Sequence, residues 1–419
     1  MNSLALRTTS WLFKIASIGS VVLFGLTGCS GGSSQSEGVS GTWTNIDTSY
    51  GKQGQATFSR NVQYGGVGPS VLQADGKLVI AGWRETRLLP AYNSSDVYVL
   101  RLNGDGSPDS TFGVGGEVRF NVMGSDTVAD VKLQHDGKIL LAVKAHGLCT
   151  IYVAPVSRGD PAPCLTSPGV PASAASALVR LTSQGVLDST FGGTGIVEIV
   201  ASWQGTPIAV QADGKILFLR STRYLTYAPF GWLLARYNMD GTPDSTFNQG
   251  NPLPSQCESD GDAMAVQADG RIVVGGTTIW TSFSDPAANP GLCLERINAD
   301  GSHDSSFRTA GLWTKFGANI QINSLSTLPN GGLLALGSYC DNNNCTGGGV
   351  VASRYGADGQ LDTTFGDVGI VKLAFDNPFR QLDNYFRVTG YVLTPIGDLV
   401  ILGYQTPNAA LVQPLHQPT

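Results

Sequence analysis

A thirteen-residue stretch, Arg101-Leu-Asn-Gly-Asp-Gly-Ser-Pro-Asp-Ser-Thr-Phe-Gly113, returns four more times in degraded form along the chain. The copies run from Arg180 to Gly192, Arg236 to Phe247, Arg296 to Phe307 and Arg354 to Gly366. In each, an arginine precedes an aspartate by eight residues, and that aspartate precedes a phenylalanine by three. Self-similarity at this period restricts the chain to architectures in which one small unit is stacked repeatedly.

A second landmark alternates with the first. Asp75-Gly76, Asp136-Gly137, Asp213-Gly214 and Asp269-Gly270 sit in Gln-Ala-Asp-Gly-Lys or a close variant, with weaker copies at Asn330-Gly331 and Ile396-Gly397. Asp-Gly between apolar runs favours a tight hairpin, because a type I′ turn needs positive φ at both central residues. Nearly continuous apolar segments such as Leu78 to Gly82 and Ile139 to Val143 follow these turns. Strands of that composition are expected to be buried on both faces.

One repeat therefore reads as four strands, for example Glu117 to Val122, Val128 to Gln134, Lys138 to Lys144 and Ala177 to Thr182. A four-stranded unit recurring around an axis is a β-propeller blade. The six hairpins give an all-β, six-bladed propeller over residues 43–419. The last repeat lacks its own Asp-x-x-aromatic turn, while Asp47-Thr-Ser-Tyr50 near the start has no repeat before it. Joined, the two ends complete one unit, so the N- and C-terminal segments are expected to close the ring. A solenoid would instead end in atypical caps.

Leu361-Asp-Thr-Thr-Phe-Gly366 and Val210-Gln-Ala-Asp-Gly-Lys215 resemble the bacterial delta-60 repeat family, over essentially residues 43 to 419. That resemblance implies an exported β-propeller and assigns no chemistry.

Export is legible independently. Arg7 and Lys14 supply positive charge, Trp11 to Leu26 is mostly apolar and holds no acid, and Leu26-Thr-Gly-Cys29 ends the run, as at a signal cleavage site. The tetrapeptide looks like a lipobox, so residues 1–28 read as a lipoprotein signal and Cys29 as the lipidation site. Residues 29–42 are a flexible, Ser- and Gly-rich tether. By resemblance to Gram-negative lipoproteins, Ser30 favours an outer-membrane lipoprotein of the cell envelope, facing the periplasm or the cell surface.

Removing residues 1–28 shifts the net charge from −6 to −8, and no run of Lys or Arg follows. That excludes nucleic acid as an expected partner and leaves the lipid as the only membrane contact. Six cysteines remain beside Cys29, an even number suited to an oxidising compartment. Proximity suggests Cys149 with Cys164, Cys340 with Cys345 and Cys257 with Cys293, although sequence alone leaves pairing open.

Chemistry is harder to find. Asn103, Asp105, Ser107 and Asp109 alternate like the start of a calcium loop, but the glycine is misplaced and no bidentate glutamate follows. Turn formation explains the pattern. His135, His146, His303 and His416 lie apart and read as solvated turn or loop residues. The strands taken as innermost carry Arg60, Asn61, Arg119, Asn121, Glu198, Gln256, Lys315, Lys372 and Asp376, a set poor in carboxylates. No catalytic residue, metal or cofactor is expected.

The Arg-to-Asp spacing reads instead as a structural ion pair: Arg101 with Asp109, Arg180 with Asp188, Arg236 with Asp244, Arg296 with Asp304 and Arg354 with Asp362. The uniform turns share one face of the repeats. The opposite face carries loops of variable length that hold Trp83, Arg84, Arg87, Trp203, Tyr224, Tyr227, Trp280, Phe283, Tyr339, Phe379, Arg380 and Tyr385. Aromatic and arginine side chains on variable loops are typical binding anchors. The sequence thus points to a non-enzymatic, lipid-anchored binding or scaffold propeller for an envelope protein or glycan. The alternative is a metal-dependent envelope hydrolase or lyase with its site at the channel mouth.

Overall fold

In the computed structural model, the described residues are 15–17, 21–26, 55–57, 65–89, 92–122, 124–147, 151–152, 164–165, 175–200, 207–222, 231–256, 259, 261–277, 292–307, 319–340, 348–374, 386–393 and 399–405. They form four four-stranded and two three-stranded sheets, with two further two-stranded ribbons. Every pairing within the larger sheets is antiparallel. Among these residues no helix is long and apolar enough to cross a membrane.

The first sheet runs Gly65–Leu72, Leu78–Leu89, Tyr92–Leu102 and Glu117–Phe120 in simple meander order. The second is Gly124–Leu133, Ile139–Gly147, Ala175–Leu181 and Ile196–Val200, and the third is Ile208–Val210, Ile216–Ser221, Trp232–Tyr237 and Leu253–Pro254. Ala263–Val266, Ile272–Thr277 and Leu292–Ile297 make the described part of the fourth. The fifth is Asn319–Thr327, Leu333–Cys340, Gly348–Tyr355 and Ile370–Ala374. Phe386–Leu393 and Leu399–Gln405 belong to the sixth, where Val21–Leu26 supplies the third strand.

The first strands of successive sheets touch one another in chain order, and Phe386–Leu393 also touches Gly65–Leu72. This corrects the phase of the repeat. Glu117–Phe120 does not begin the second sheet; it is the edge strand of the first, pairing Val97 with Phe120 and Leu100 with Glu117. The cause is the turn between them. Asp109 N donates to Arg101 O and Arg101 N donates to Gly116 O, so the chain folds straight back onto Tyr92–Leu102. Arg119, Glu198 and Lys372 consequently lie on edge strands, with Gln256 just past another, and none of them is on an innermost strand. Arg60, Asn61, Lys315 and Asp376 lie outside the described residues.

The apolar second strands of the first five sheets are buried on both faces along their described residues, as their composition requires. Ile139, Leu141 and Val143 pack with Val79, Val97, Val99 and Phe112 of the first sheet. Their alternates Leu140 and Ala142 pack with Ile208, Ile216 and Phe218 of the third. Strand alternation alone divides the residues this way. The repeated phenylalanine fills the gap to the following sheet: Phe112, Phe191 and Phe247 are each 0–1% exposed.

Two expectations about the ends meet the structure differently. Ile15–Ser17 and Val21–Leu26, read from sequence as signal, are strands here; Val21–Leu26 pairs with Leu399–Gln405 and Ile15–Ser17 with Gln55–Thr57. A short apolar run is equally legible as a signal core and as a buried strand. Of the segments expected to join the ends, residues 43–58 and 411–415, Gln55–Thr57 alone is among the described residues, and it pairs with Ile15–Ser17; Cys29 also lies outside them.

Candidate functional site

The Arg–Asp spacing resolves into one cluster used five times. Arg101 Nε donates to Asp109 Oδ2 at 2.7 Å, and the equivalent distances are 2.8 Å for Arg180–Asp188, 2.6 Å for Arg236–Asp244, 2.8 Å for Arg296–Asp304 and 2.7 Å for Arg354–Asp362. The aspartate's other oxygen is taken by the turn: Thr111 donates to Asp109 Oδ1 through both its hydroxyl and its N–H. The guanidinium also lies over the repeated ring, 4.6 Å from the Phe112, Phe191, Phe247 and Phe307 centroids and 4.8 Å from that of Phe365. Stacking of this kind adds a cation–π attraction to the ion pair.

Sequence reasoning missed where the remaining arginine donors go. Nη1 of Arg101, Arg180, Arg236 and Arg296 donates to main-chain carbonyls of the next repeat, on Ser183, Met239, Ala299 and Ala357 respectively. Beside this, Gly113 N donates to Gln184 O, Gly192 N to Asp240 O and Asn248 N to Asp300 O. The uniform turns therefore lace one sheet to the next. Gly185 shows how close the approach is: a Cβ there would sit 2.6 Å from Val118 Cγ2 and 2.8 Å from Phe112 Cε2, and its φ is +84°.

A second cation joins four of the aspartates. Lys77, Lys138, Lys215 and Arg271 approach Asp109, Asp188, Asp244 and Asp304 at 2.9, 3.5, 3.0 and 3.7 Å. Burial acts to raise the Asp109 carboxyl, but Lys77, Thr111 and Arg101 together hold it far below the ordinary carboxylate range. Asp304 is held at about 2, chiefly by the Ser306 hydroxyl and, against its burial, by the Ser306 N–H and Arg296. The fifth copy has Gly332 where the second cation would stand, and its Arg354–Asp362 pair is about one-third exposed (34% and 31%). The alternating Asn103–Asp109 oxygens are spent within the turn, with Ser107 N and Oγ both donating to Asp105 Oδ1. Among the described residues, no three His, Cys, Asp or Glu are grouped as a metal would require.

The fourth repeat departs from the others. Glu295 and His303 stand where the first repeat has Leu100 and Pro108. Glu295 is 6% exposed and accepts from Gln256 N at 2.9 Å. His303 Nδ1 lies 3.4 Å from Glu295 Oε2, and its Nε2 is 3.1 Å from Pro254 O. His303 is thus a bridge between the third and fourth sheets, not a solvated turn residue. The signal was present as two polar residues at positions that are apolar in the first repeat.

The expected binding face lies only partly among the described residues. Trp83 and Arg84 are half-buried at the loop end of the first sheet, and Arg87 pairs with Asn93 in the same hairpin. Tyr339 is not available to a ligand: it is 5% exposed, with Lys372 Nζ 4.9 Å above its ring. Trp203, Tyr224, Tyr227, Trp280, Phe283, Phe379, Arg380 and Tyr385 lie outside the described residues. Cys293 is buried and disulfide-bonded, and Cys164 and Cys340 sit in strands. Cys149, Cys257 and Cys345 lie outside the described residues, as does His416; His135 is exposed in its hairpin.

Repeated antiparallel four-stranded meanders, packed face to face and laced at one end, define an all-β protein of propeller type. Residues 73–112, 211–247 and 267–307 match the family model described as "Domain of unknown function (DUF5122) beta-propeller", which supports a β-propeller family. No curated protein sequence matches the chain. Among solved structures, a protein of unknown function from Dyadobacter fermentans is similar at 13% identity and TM-score 0.45, covering 83% of this chain and 97% of that one. A GH43_1 enzyme from Xanthomonas citri is similar at 12% identity and TM-score 0.34, over 71% and 90% of the two chains. A PL25 ulvan lyase is similar at 12% identity and TM-score 0.38, over 77% and 76%.

Proposed function

We propose that the chain is a six-bladed propeller of four-stranded blades, tethered through Cys29 to the cell envelope, that binds an envelope protein or glycan through its variable loops. Closure of the ring is supported by the contacts between successive first strands, including Phe386–Leu393 against Gly65–Leu72. In the exported form the signal, Val21–Leu26 included, is removed, and the terminal segments 43–58 and 411–415 take its place beside Leu399–Gln405.

The observation that carries the binding role is the asymmetry between the two ends of each sheet. The uniform turns are occupied in holding neighbouring sheets together, through the arginine-to-carbonyl bonds from Arg101, Arg180, Arg236 and Arg296. The opposite ends carry loops of differing length and aromatic content, on a scaffold made rigid by that lacing.

The test uses the mature chain with Cys29→Ser and a variant carrying Trp83→Ala, Trp203→Ala, Trp280→Ala and Phe283→Ala. Both are applied to an envelope-glycan array and to purified envelope proteins. A ligand retained by the first and lost by the second, at equal melting temperature, supports the reading. Equal binding by both chains, or turnover of an array glycan, overturns it. Incorporation of labelled palmitate that is abolished by Cys29→Ala tests the anchor.

A further inference from the structure

On the first sheet, Val79, Ala81, Val97, Val99, Val118 and Phe120 pack toward the second sheet. Strand alternation puts Arg84, Asp96, Tyr98, Arg119 and Asn121 on the other face, near the loop end. Register sets Arg84 directly opposite Asp96 on the adjacent strand. Residues paired in this way have Cβ atoms ~4.5–5.5 Å apart, well within reach of an arginine. Asp96 is nevertheless held from the edge strand: Oδ2 accepts from Arg119 Nε at 2.8 Å and Oδ1 from Asn121 Nδ2 at 3.0 Å. Arg84 is half-buried and has no hydrogen-bond or ion-pair partner among the described residues.

The other repeats do without this arrangement. Counted from the same landmarks, the positions of Arg84, Asp96 and Arg119 hold Ala145, Ala175 and Glu198 in the second repeat, and Thr222, Gly231 and Pro254 in the third. In the fifth they hold Tyr339, Gly349 and Lys372, and there the lysine Nζ lies 4.9 Å above the buried tyrosine ring. None of the second to fifth repeats places an aspartate or two arginines at these positions, so the sheet architecture does not require them. Arg119 is exposed and Asp96 is half-buried, which leaves the cluster open to a ligand from solvent.

Two arginines around one aspartate leave one net positive charge here, on a chain that is acidic as a whole. The unpartnered fork of Arg84 matches a carboxylate bidentately. One negative charge balances the cluster, whereas a phosphate dianion beside Asp96 would overfill it. Asp96 keeps acceptor capacity, because a carboxylate offers about four lone-pair sites. A ligand that carries hydroxyl donors next to its own carboxylate uses both groups. We propose that Arg84, with Asp96 beside it, binds the uronate sugar of an acidic glycan. The uronate oxygens accept from the Arg84 guanidinium, and a sugar hydroxyl donates to Asp96. This rests on the binding role proposed above and narrows its ligand to a uronate-containing glycan.

The probes are D-glucuronate, D-glucose, D-glucose 6-phosphate and acetyl-L-glutamate amide, followed by ligand-observed NMR on the mature Cys29→Ser chain at constant ionic strength. Glucuronate should bind and glucose should not. Glucose 6-phosphate should bind severalfold more weakly for its second charge, and the glutamate amide severalfold more weakly for want of hydroxyls. Arg84→Gln should weaken glucuronate at least tenfold, Arg84→Lys should recover only part of the loss, and Lys372→Gln should change nothing. Asp96→Asn should move the preference toward glucose 6-phosphate. Arg84→Gln should leave the melting temperature unchanged, which separates lost binding from lost folding. No glucuronate binding by the wild-type chain, equal binding by Arg84→Gln, or equal binding of the glutamate amide would overturn the proposal. If glucuronate fails while a neutral glycan or an envelope protein is retained by the wild-type chain and lost by the aromatic variant, this inference falls and the binding role stands.

Discussion

Arg236 Nη1 donates to the main-chain oxygen of Ala299 at 2.7 Å, across 63 residues and from the third sheet into a turn of the fourth. The same guanidinium holds Asp244 and covers Phe247. One side chain therefore fixes its own turn, the aromatic plug and the neighbouring repeat. In the fifth repeat the corresponding pair is far more exposed.

This difference sets the first prediction. Arg236→Ala removes one cation from a buried carboxylate that keeps Lys215 and Thr246, together with the bond to the Ala299 carbonyl, so it should destabilise the chain by ~1.5–3 kcal/mol. Arg354→Ala removes a pair open to solvent and should cost under ~1 kcal/mol. Urea melts of the two variants check this; equal losses would show that exposure does not govern the pair.

Acid sensitivity follows from the same carboxylates. Asp109, Asp188, Asp244 and Asp304 all titrate below an unfolded aspartate, whose pKa is ~3.9. A depressed folded pKa contributes stability above the unfolded value and loses it as pH falls through the folded one. For Asp304, held at about 2, the loss should span pH ~4 to about 2. Melting temperature should show no dependence on these groups from pH 5 to 8, then fall steeply below pH 4. Asp304→Asn should be less stable at pH 7 and show a shallower acid limb.

Two glycines with similar φ separate backbone strain from packing. A methyl group added at Gly76, where φ is +81°, would meet nothing within 4 Å, whereas one at Gly185, where φ is +84°, would abut Val118 and Phe112. Gly76→Ala should cost only the strain of a left-handed alanine, ~1 kcal/mol. Gly185→Ala carries the same strain plus displacement of the phenylalanine plug, and should lose ~1–3 kcal/mol more. Thermal denaturation of both variants, read side by side, measures the close approach directly.

Much of this architecture was legible because local patterns encode it. The Asp-Gly hairpins, the doubly buried apolar strands and the eight-residue Arg–Asp interval all depend on residues near each other in sequence. The phase of the repeat was not legible, since a periodic pattern does not say which strand begins a sheet; the Asp109 N to Arg101 O bond decides that. Nor were the arginine-to-carbonyl bonds, whose acceptors are main-chain atoms 59 to 82 residues away and carry no side-chain signature. The Glu295–His303 contact depends on the turn that folds His303 back beside Ile297, which composition leaves open.

The last prediction concerns the edge at Leu399–Gln405. Val21–Leu26 satisfies that strand's outer hydrogen bonds over six residue pairs, Val21 with Tyr404 through Leu26 with Leu399. An unpaired edge is a site for aggregation, so a form without residues 1–28 needs another strand there. On the proposed export route, segments 43–58 and 411–415 provide it. A chain of residues 29–419 should then melt cooperatively and stay monomeric in sedimentation, and a chain of residues 43–419 should match it. Residues 59–419 should melt lower and self-associate. If instead the 29–419 chain already aggregates while the full chain does not, Val21–Leu26 is a permanent strand of the sixth sheet and the signal reading fails.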